Sequence, residues 1–277
     1  GYDDFEIKES IDYKDCITYI SPDIAVCEDC LQDLKVQNHR IDYPLINCTN
    51  CGPRFSIVND LPYDRENTSM KEFEMCDFCK KEYNDPLNRR FHAQPISCNL
   101  CGPKYFMIYN DVKINSLKEI INLTNDLLLA DKIIVVKGTG GFHILCNPYS
   151  ELAIDKLRKI KKRSNKPFAL MFRDIATVKK YVLLNPQEEE LLLSWRRPIL
   201  LVNINHNIFP KNLAPGLNTL GVFLPYMPFH YLLFEHINFE TVILTSCNIS
   251  DEPINKDEEQ VIKELGSSVD AIIYYNR

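Results

Sequence analysis

The sequence has 277 residues, 45% hydrophobic and 25% charged, with a formal net charge of −6. That length accommodates more than one packed core, and a net negative chain disfavours a long nucleic-acid interface, which needs basic surface to neutralise phosphates. No apolar run reaches the ~20 residues of a membrane-spanning helix and no signal peptide opens the chain, so a cytoplasmic protein with no membrane partner is expected.

The opening "GYDDFEIKES" reads as a segment cut from something longer, and residues 1–20 as a linker. The next stretch, 21–106, is dominated by cysteine. Eight of the 11 cysteines form four Cys-x-x-Cys pairs: Cys27/Cys30, Cys48/Cys51, Cys76/Cys79 and Cys98/Cys101. Within each half, 17 or 18 residues separate the pairs, the spacing of a four-thiolate zinc site. Such thiols imply a reducing compartment rather than a disulfide framework. The repeat extends beyond the cysteines, "YPLINCTNCGPRF" against "AQPISCNLCGPKY", so 21–62 and 63–106 read as two copies of one module.

Each copy is too small to fold on an apolar core alone, and metal binding is expected to supply folding energy. The expectation is two structural zinc sites, with pairing either within or between the copies. Four thiolates leave no open coordination position, which argues against catalysis at the metal, and His92 is then surplus as a ligand. Gly52 and Gly102, each after a second pair, are read as positive-φ turns that aim N–H groups at the sulfurs. The module is scaffolding or an interaction surface.

From residue 107 the cysteine spacing gives way to α/β periodicity. Ser116 with Glu119 reads as a capping box opening an amphipathic helix, and "KIIVVKG" (132–138) as a buried strand ending in the turn "GTGGFH". Ser150 is expected to cap "ELAIDKLRKI", which leads through a basic loop into "KPFALMF". Asn185-Pro186 and three glutamates open another helix. "RPILLVNI", "ETVILTS" and "AIIYY" are strands, and Asn255 with Glu258 is read as a last helix cap. Helices interleaved with strands give an α/β sheet domain at 107–277.

Three segments there carry polar groups suited to phosphate oxygens: the glycine turn, the basic run through Lys161 and Arg163, and "TSCNIS" (245–250). Each has an ordinary alternative. The first reads equally as a plain turn, the second as cations at a helix C-terminus, the third as a polar loop. His143 alone reads as a packed histidine. Their convergence points to a nucleotide site at the carboxyl ends of strands.

"SPDIAVCEDC", "YPLINCTNCGPRFSIVNDLPYDRENTSM", "RRFHAQPISCNLCGP", "VVKGTGGFHILC", "KPFALMF", "LGVFLPYMPFHYLL" and "TSCNISDEPI" together resemble the HypF family of hydrogenase-maturation carbamoyltransferases, from about Ser21 to the end of the chain. The resemblance implies an internal portion of such an enzyme: two zinc-finger-like modules and a YrdC-like domain, a twisted mixed sheet with helices. It implies that carbamate, made from carbamoyl phosphate, is joined to ATP to give carbamoyl adenylate and pyrophosphate. The carbamoyl group is later passed, by a domain outside this chain, to the C-terminal cysteine of a HypE-like acceptor. Magnesium is expected on the ATP.

The family's Lys-x-Arg and Ser-x-Asn motifs map to Lys161 with Arg163, implied to be catalytic, and to Ser246 with Asn248. Lys137, Thr139 and His143 are the further nucleotide- or carbamate-binding candidates. Lys162 stands where the family commonly has glycine, which puts that loop's conformation in doubt; Cys247 replaces a small residue. The competing readings are a threonylcarbamoyl adenylate synthase of tRNA modification, or a non-catalytic zinc-ribbon RNA-binding or assembly module.

Overall fold

The structure, a computed structural model, describes residues 20–205, 208–248 and 257–277. Each cysteine module begins with a short helix whose N-cap is itself a cysteine. Cys27 caps α1 (Glu28–Val36) and Cys76 caps α2 (Asp77–Asn84). One helical turn then carries Cys30 and Cys79 onto the same side as the capping thiol. The second pair sits on a tight 3-10 turn in the first module, Thr49–Cys51, and on the corresponding turn in the second. Little apolar side chain packs on the cysteines themselves: Val26, Leu34, Tyr43 and Ile46 in the first module, Ala93 and Ile96 in the second.

The rest of the chain is one nine-stranded mixed sheet. In chain order it is built from β1 (Tyr105–Tyr109), β2 (Val112–Ile114), α3 (Leu117–Leu129), β3 (Ile134–Lys137), β4 (Phe142–Cys146), α4 (Glu151–Lys161) and β5 (Leu170–Phe172). These are followed by α5 (Ile175–Tyr181), α6 (Pro186–Leu193), β6 (Leu200–Asn203), β7 (Thr219–Phe223), α7 (Pro228–His236), β8 (Thr241–Ser246), α8 (Glu258–Leu265) and β9 (Ala271–Tyr275). The strand order is β2-β1-β9-β3-β4-β8-β5-β7-β6. Among the described residues, only β3/β9 and β5/β7 pair in parallel.

Alternate residues of the central strands feed two cores. Val135, Ile144, Ile243 and Ile272 face α4, α5, α6 and α8; Ile134, Leu145, Val242 and Ile273 face α3 and α7. Burial on both faces explains why these strands read as continuous apolar runs rather than alternating ones.

The caps follow the sequence with instructive exceptions. Ser150 Oγ accepts from Ala153 N at 3.1 Å, and Asn185 forms a complete capping box with Glu188. Ser116 makes only its own half, accepting from Glu119 N at 3.4 Å. Asn255 lies outside the described residues, and Asp257 Oδ1 caps α8, accepting from Gln260 N at 2.8 Å. Gly52 has the expected positive φ of 68°. Gly102 is not a positive-φ position; it is glycine because a Cβ there would lie 1.9 Å from Tyr43 Oη. The modules attach to the sheet domain through main-chain bonds, Ala25 N to Trp195 O at 2.9 Å and Val26 N to Tyr226 O at 3.0 Å.

Candidate functional site

The eight cysteines gather within modules, not between them. In each set the four sulfurs lie within 4.8 Å of one another. Cys27 Sγ is 3.5 Å from both Cys48 Sγ and Cys51 Sγ, and Cys48 is 4.0 Å from Cys51. In the second set Cys76–Cys98, Cys98–Cys101 and Cys79–Cys101 are 3.7, 3.8 and 3.6 Å apart. A tetrahedral zinc with Zn–S of about 2.3 Å requires sulfur–sulfur edges of about 3.8 Å, whereas a disulfide requires about 2.05 Å. The donor sets fit zinc. His92 is not among them; it stacks on Tyr83 at 4.7 Å.

The two modules touch through reciprocal contacts. Arg40 Nε donates to Ser97 O at 2.9 Å, and Arg90 Nε, fifty positions on, donates to Asn47 O at 3.1 Å. Arg40 Nη2 reaches Glu82 at 2.5 Å, and Arg90 Nη2 reaches Asp33 at 2.5 Å. Thr49 N donates to Arg89 O, and Asn99 N to His39 O, both at 3.0 Å. Both arginines are fully or almost fully buried. An interface in which each partner presents the same patch to the other has the geometry of an isologous dimer, here made within one chain. That is why the module occurs twice.

In the sheet domain, antiparallel pairing sets His143 opposite Ser246, so the beginning of β4 and the end of β8 are neighbours. The C-terminus of α4 brings Lys161 to the same place. Its ammonium donates to Ser246 O at 2.5 Å, Asn248 O at 2.8 Å and Asn248 Oδ1 at 3.2 Å. Ser246 Oγ donates to Asn248 Oδ1 at 2.6 Å. Arg163 follows one turn of chain later, with Nη2 donating to Pro167 O at 3.0 Å and its guanidinium 5.2 Å from the Phe168 ring centre. Lys161, Arg163, His143, Ser246 and Asn248 therefore form one cluster. The intervening Lys162 takes the left-handed conformation, φ 48° and ψ 43°, which a glycine would adopt without strain.

Burial and mutual repulsion shape this cluster. Lys161 is only 2% exposed, and burial, with Arg163 beside it, pulls its ammonium down to about 8. Burial lowers His143 to about 4; the Lys161 charge adds to this and the Gly141 main chain opposes it. The imidazole is thus neutral at pH 7. Burial pushes the Cys247 thiol up to about 12, so it is no thiolate nucleophile. Gly138 must be glycine: a Cβ there would approach the His143 ring to 2.6 Å.

Lys137 and Thr139 lie to one side. Lys137 Nζ is tied to the Glu258 carboxylate, to Arg277 O at 2.8 Å and to Tyr275 O at 3.5 Å. Thr139 faces a small cavity shared with Asn47, Arg54 and Arg277. A cavity of about 530 Å³ lies elsewhere, between the modules, α3 and α7, and none of the candidate residues lines it. That cavity has Lys104 and Lys118 on its wall, whereas Lys161 and Arg163 stand two residues apart beside the end of β8. The exchange of Arg40, Arg89 and Arg90 between modules joins residues about forty to sixty positions apart and has no local signal in the sequence. Superposing the two repeats by number would have exposed Arg40 and Arg90 as equivalent.

Residues 126–277 match the Sua5/YciO/YrdC family model, described as "Telomere recombination", and residues 26–58 and 75–108 match the "HypF finger". Carbamoyltransferase HypF of Rhodobacter capsulatus is 40% identical over 260 residues, 94% of this chain and 34% of that protein. A crystal structure of full-length HypF in a phosphate- and nucleotide-bound form is 49% identical with a TM-score of 0.87, covering 93% of this chain and 34% of that one. Threonylcarbamoyl-AMP synthase of Buchnera aphidicola is more distant, 28% identical over 147 residues, 50% of this chain and 82% of that protein. The chain spans about a third of the length of the HypF relatives it matches. It belongs to the Sua5/YciO/YrdC family and carries, ahead of that domain, the paired fingers of HypF.

Proposed function

We propose that this chain supplies the adenylating step of a HypF-type carbamoyltransferase of [NiFe]-hydrogenase maturation: carbamate, derived from carbamoyl phosphate, and ATP give carbamoyl adenylate and pyrophosphate. The observation that carries the reading is the Lys161 ammonium fastened across the Ser246–Asn248 turn at the end of β8, with Arg163 two residues away. The HypF relative crystallised with nucleotide and phosphate supports it.

A carbamate oxygen attacks the α-phosphorus of ATP; a new O–P bond forms as the bond to the pyrophosphate bridging oxygen breaks. Negative charge grows on the equatorial oxygens and on the departing pyrophosphate. Lys161 and Arg163 place fixed positive charge there, with Arg163 suited to a bidentate phosphate contact. Ser246 and Asn248 are hydrogen-bonding groups for the phosphates, and neutral His143 shapes the floor beside them. Magnesium accompanies ATP as part of the substrate. No covalent enzyme intermediate is required, in keeping with protonated, buried Cys146 and Cys247. Carbamate decomposes in water, so its source must lie close by; the zinc modules form a rigid wall beside the sheet. The product's carbamoyl group would go to the C-terminal cysteine of a HypE-like acceptor through a domain outside this chain.

The test is Arg163→Ala in the zinc-loaded protein. Nucleotide binding and carbamate-dependent pyrophosphate release should fall while two zinc ions are retained; unchanged binding and turnover removes Arg163 from the site. Pyrophosphate release that depends on threonine and bicarbonate instead would assign the threonylcarbamoyl reaction. The described residues contain no helix long and apolar enough to cross a membrane.

A further inference from the structure

Asn47 is 4% exposed, yet neither Nδ2 nor Oδ1 of its side chain has a hydrogen-bond partner. A buried primary amide with both ends unpaired costs several times what an apolar residue of the same shape would. The repeat makes the anomaly sharper. Ser97, the equivalent residue of the second module, is fully engaged, its Oγ 2.9 Å from Tyr43 Oη and 3.3 Å from Pro95 O. Arg54 differs from its own counterpart in the same way: it is 8% exposed, whereas Lys104 is exposed. The pseudo-symmetry of the modules breaks where the first one faces the sheet domain.

What they face there is a cavity of about 30 Å³, lined by Asn47, Arg54, Thr139 and Arg277 among apolar neighbours such as Met227 and Pro95. That is room for about two waters, or for one small planar molecule. Arg54 Nη1 is anchored on Ile24 O at 2.5 Å, which fixes the guanidinium in place. Asp23 acts on Tyr63 and Tyr275 together with these arginines, and Lys137 is matched by Glu258. Of the charged side chains, Arg54 and Arg277 line the cavity itself, which makes its wall cationic. A monoanion fits that wall. The amide of Asn47 adds a second requirement, since its two ends need an acceptor and a donor on the same ligand.

We propose that Asn47 and Arg54 of the first zinc module, with Thr139 and Arg277 of the sheet domain, form a binding site for a small planar monoanion that is both carboxylate and hydrogen-bond donor, the carbamate and bicarbonate class. This rests on, and deepens, the reading of the domain as carbamate-adenylating. The ligand's oxygens accept from Asn47 Nδ2 and the guanidiniums, and its N–H or O–H donates to Asn47 Oδ1. The zinc module then does more than brace the sheet; it contributes half of the wall that selects the acid to be adenylated. The glycine turn that carries Thr139 also packs Gly138 against His143, which sits opposite Ser246. One turn thereby touches both the anion cavity and the cation cluster.

The experiment uses the zinc-loaded chain and carbon-13-labelled bicarbonate, a stable stand-in for carbamate, with binding followed by NMR line broadening. Wild type should bind bicarbonate, and acetate, which has the carboxylate without the donor, at least tenfold more weakly. Asn47→Leu and Asn47→Asp should each weaken bicarbonate at least tenfold, and neither should alter ATP affinity. Asn47→Leu should also raise the thermal midpoint of the ligand-free protein, because it removes an unpaired buried amide; a purely structural asparagine would give the opposite. Absence of bicarbonate binding, affinity unchanged in both variants, equal binding of acetate, or a lowered midpoint in Asn47→Leu overturns the site. If wild type fails to bind ATP while bicarbonate binding still depends on Asn47, the adenylation reading falls and the anion site stands.

Discussion

Arg40 of the first module donates from Nη2 to Cys79 Sγ of the second at 3.4 Å, and Arg89 of the second returns the contact to Cys30 Sγ of the first at 3.2 Å. Each metal set therefore has a thiolate whose charge is shared with a guanidinium from the other module. Hydrogen bonds of this kind set the orientation and donor strength of metal ligands, and their loss typically weakens metal binding about 10–100-fold.

Arg40→Ala should accordingly weaken the second zinc site and Arg89→Ala the first. Cadmium-substituted protein gives one NMR resonance per site, so chelator titration can assign which metal leaves. Arg40→Ala also leaves the Glu82 carboxylate, whose side chain is 9% exposed, with Arg90 at 3.4 Å as its remaining guanidinium partner, and should cost up to about 3 kcal/mol of stability. Adding Glu82→Gln should recover part of that. Equal release of both metals by each single variant would contradict a site-specific role for the arginines.

Lys162 supports a prediction of opposite sign. Its left-handed backbone costs a residue with a Cβ about 1–2 kcal/mol relative to glycine, offset in part by glycine's greater freedom in the unfolded chain. Lys162→Gly should therefore stabilise the protein by up to about 1 kcal/mol in denaturant titration. Nucleotide binding should persist, because the loop between Lys161 and Arg163 already follows the path glycine would take. A loss of stability would mean that the Lys162 side chain makes a contact worth more than its backbone strain.

Much of this architecture was legible in local sequence. Cysteine spacing announced both metal sets, and Ser150 and Asn185 marked their helices, because caps and knuckles are decided within a few residues. The faces of β3 and β8 were not, since strands buried on both sides show no alternation. Gly52 and Gly102 look alike in sequence and differ in fact: one needs its positive φ, the other the space taken by Tyr43, a contact across sixty residues. The run through Lys161 and the turn after Ser246 read as phosphate-suited segments from residue type alone, but no short-range pattern reports that α4 ends beside β8. Asn47 carried no signal at all. Its meaning lies in lacking partners that its repeat counterpart has.

Gly138 offers a test of how closely the turn is built. An added methyl would sit 2.6 Å from His143 Cε1 and 2.7 Å from Nδ1, so the half-buried ring would have to move aside. Gly138→Ala should destabilise by about 1–3 kcal/mol through overpacking. It should also reduce carbamate-dependent pyrophosphate release more than ATP binding, because the displaced turn carries Thr139. Activity and stability both at wild-type level would show that His143 is free to move and is no fixed part of the floor.

The depressed ammonium of Lys161 predicts a pH dependence with two signs. Below about 8 the folded protein holds the charge, so ATP affinity should be highest there and fall as pH rises through that value, by at most about tenfold per unit. Bound triphosphate favours the charged form and so moves the fall upward in the complex. Lys161→Arg, which stays charged throughout, should remove the dependence. Stability of the ligand-free protein should run the other way. Between about 8 and the ordinary lysine value of 10.5 the unfolded chain keeps a proton that the folded one has released, so stability contributed at this residue rises with pH across that window. Below it both states are protonated, and the cost of the buried charge is constant. Paired titrations of ATP affinity and urea midpoint from pH 7 to 10 on wild type and Lys161→Arg separate the two effects. An affinity profile that is flat in the wild type would exclude the Lys161 ammonium from the phosphate site.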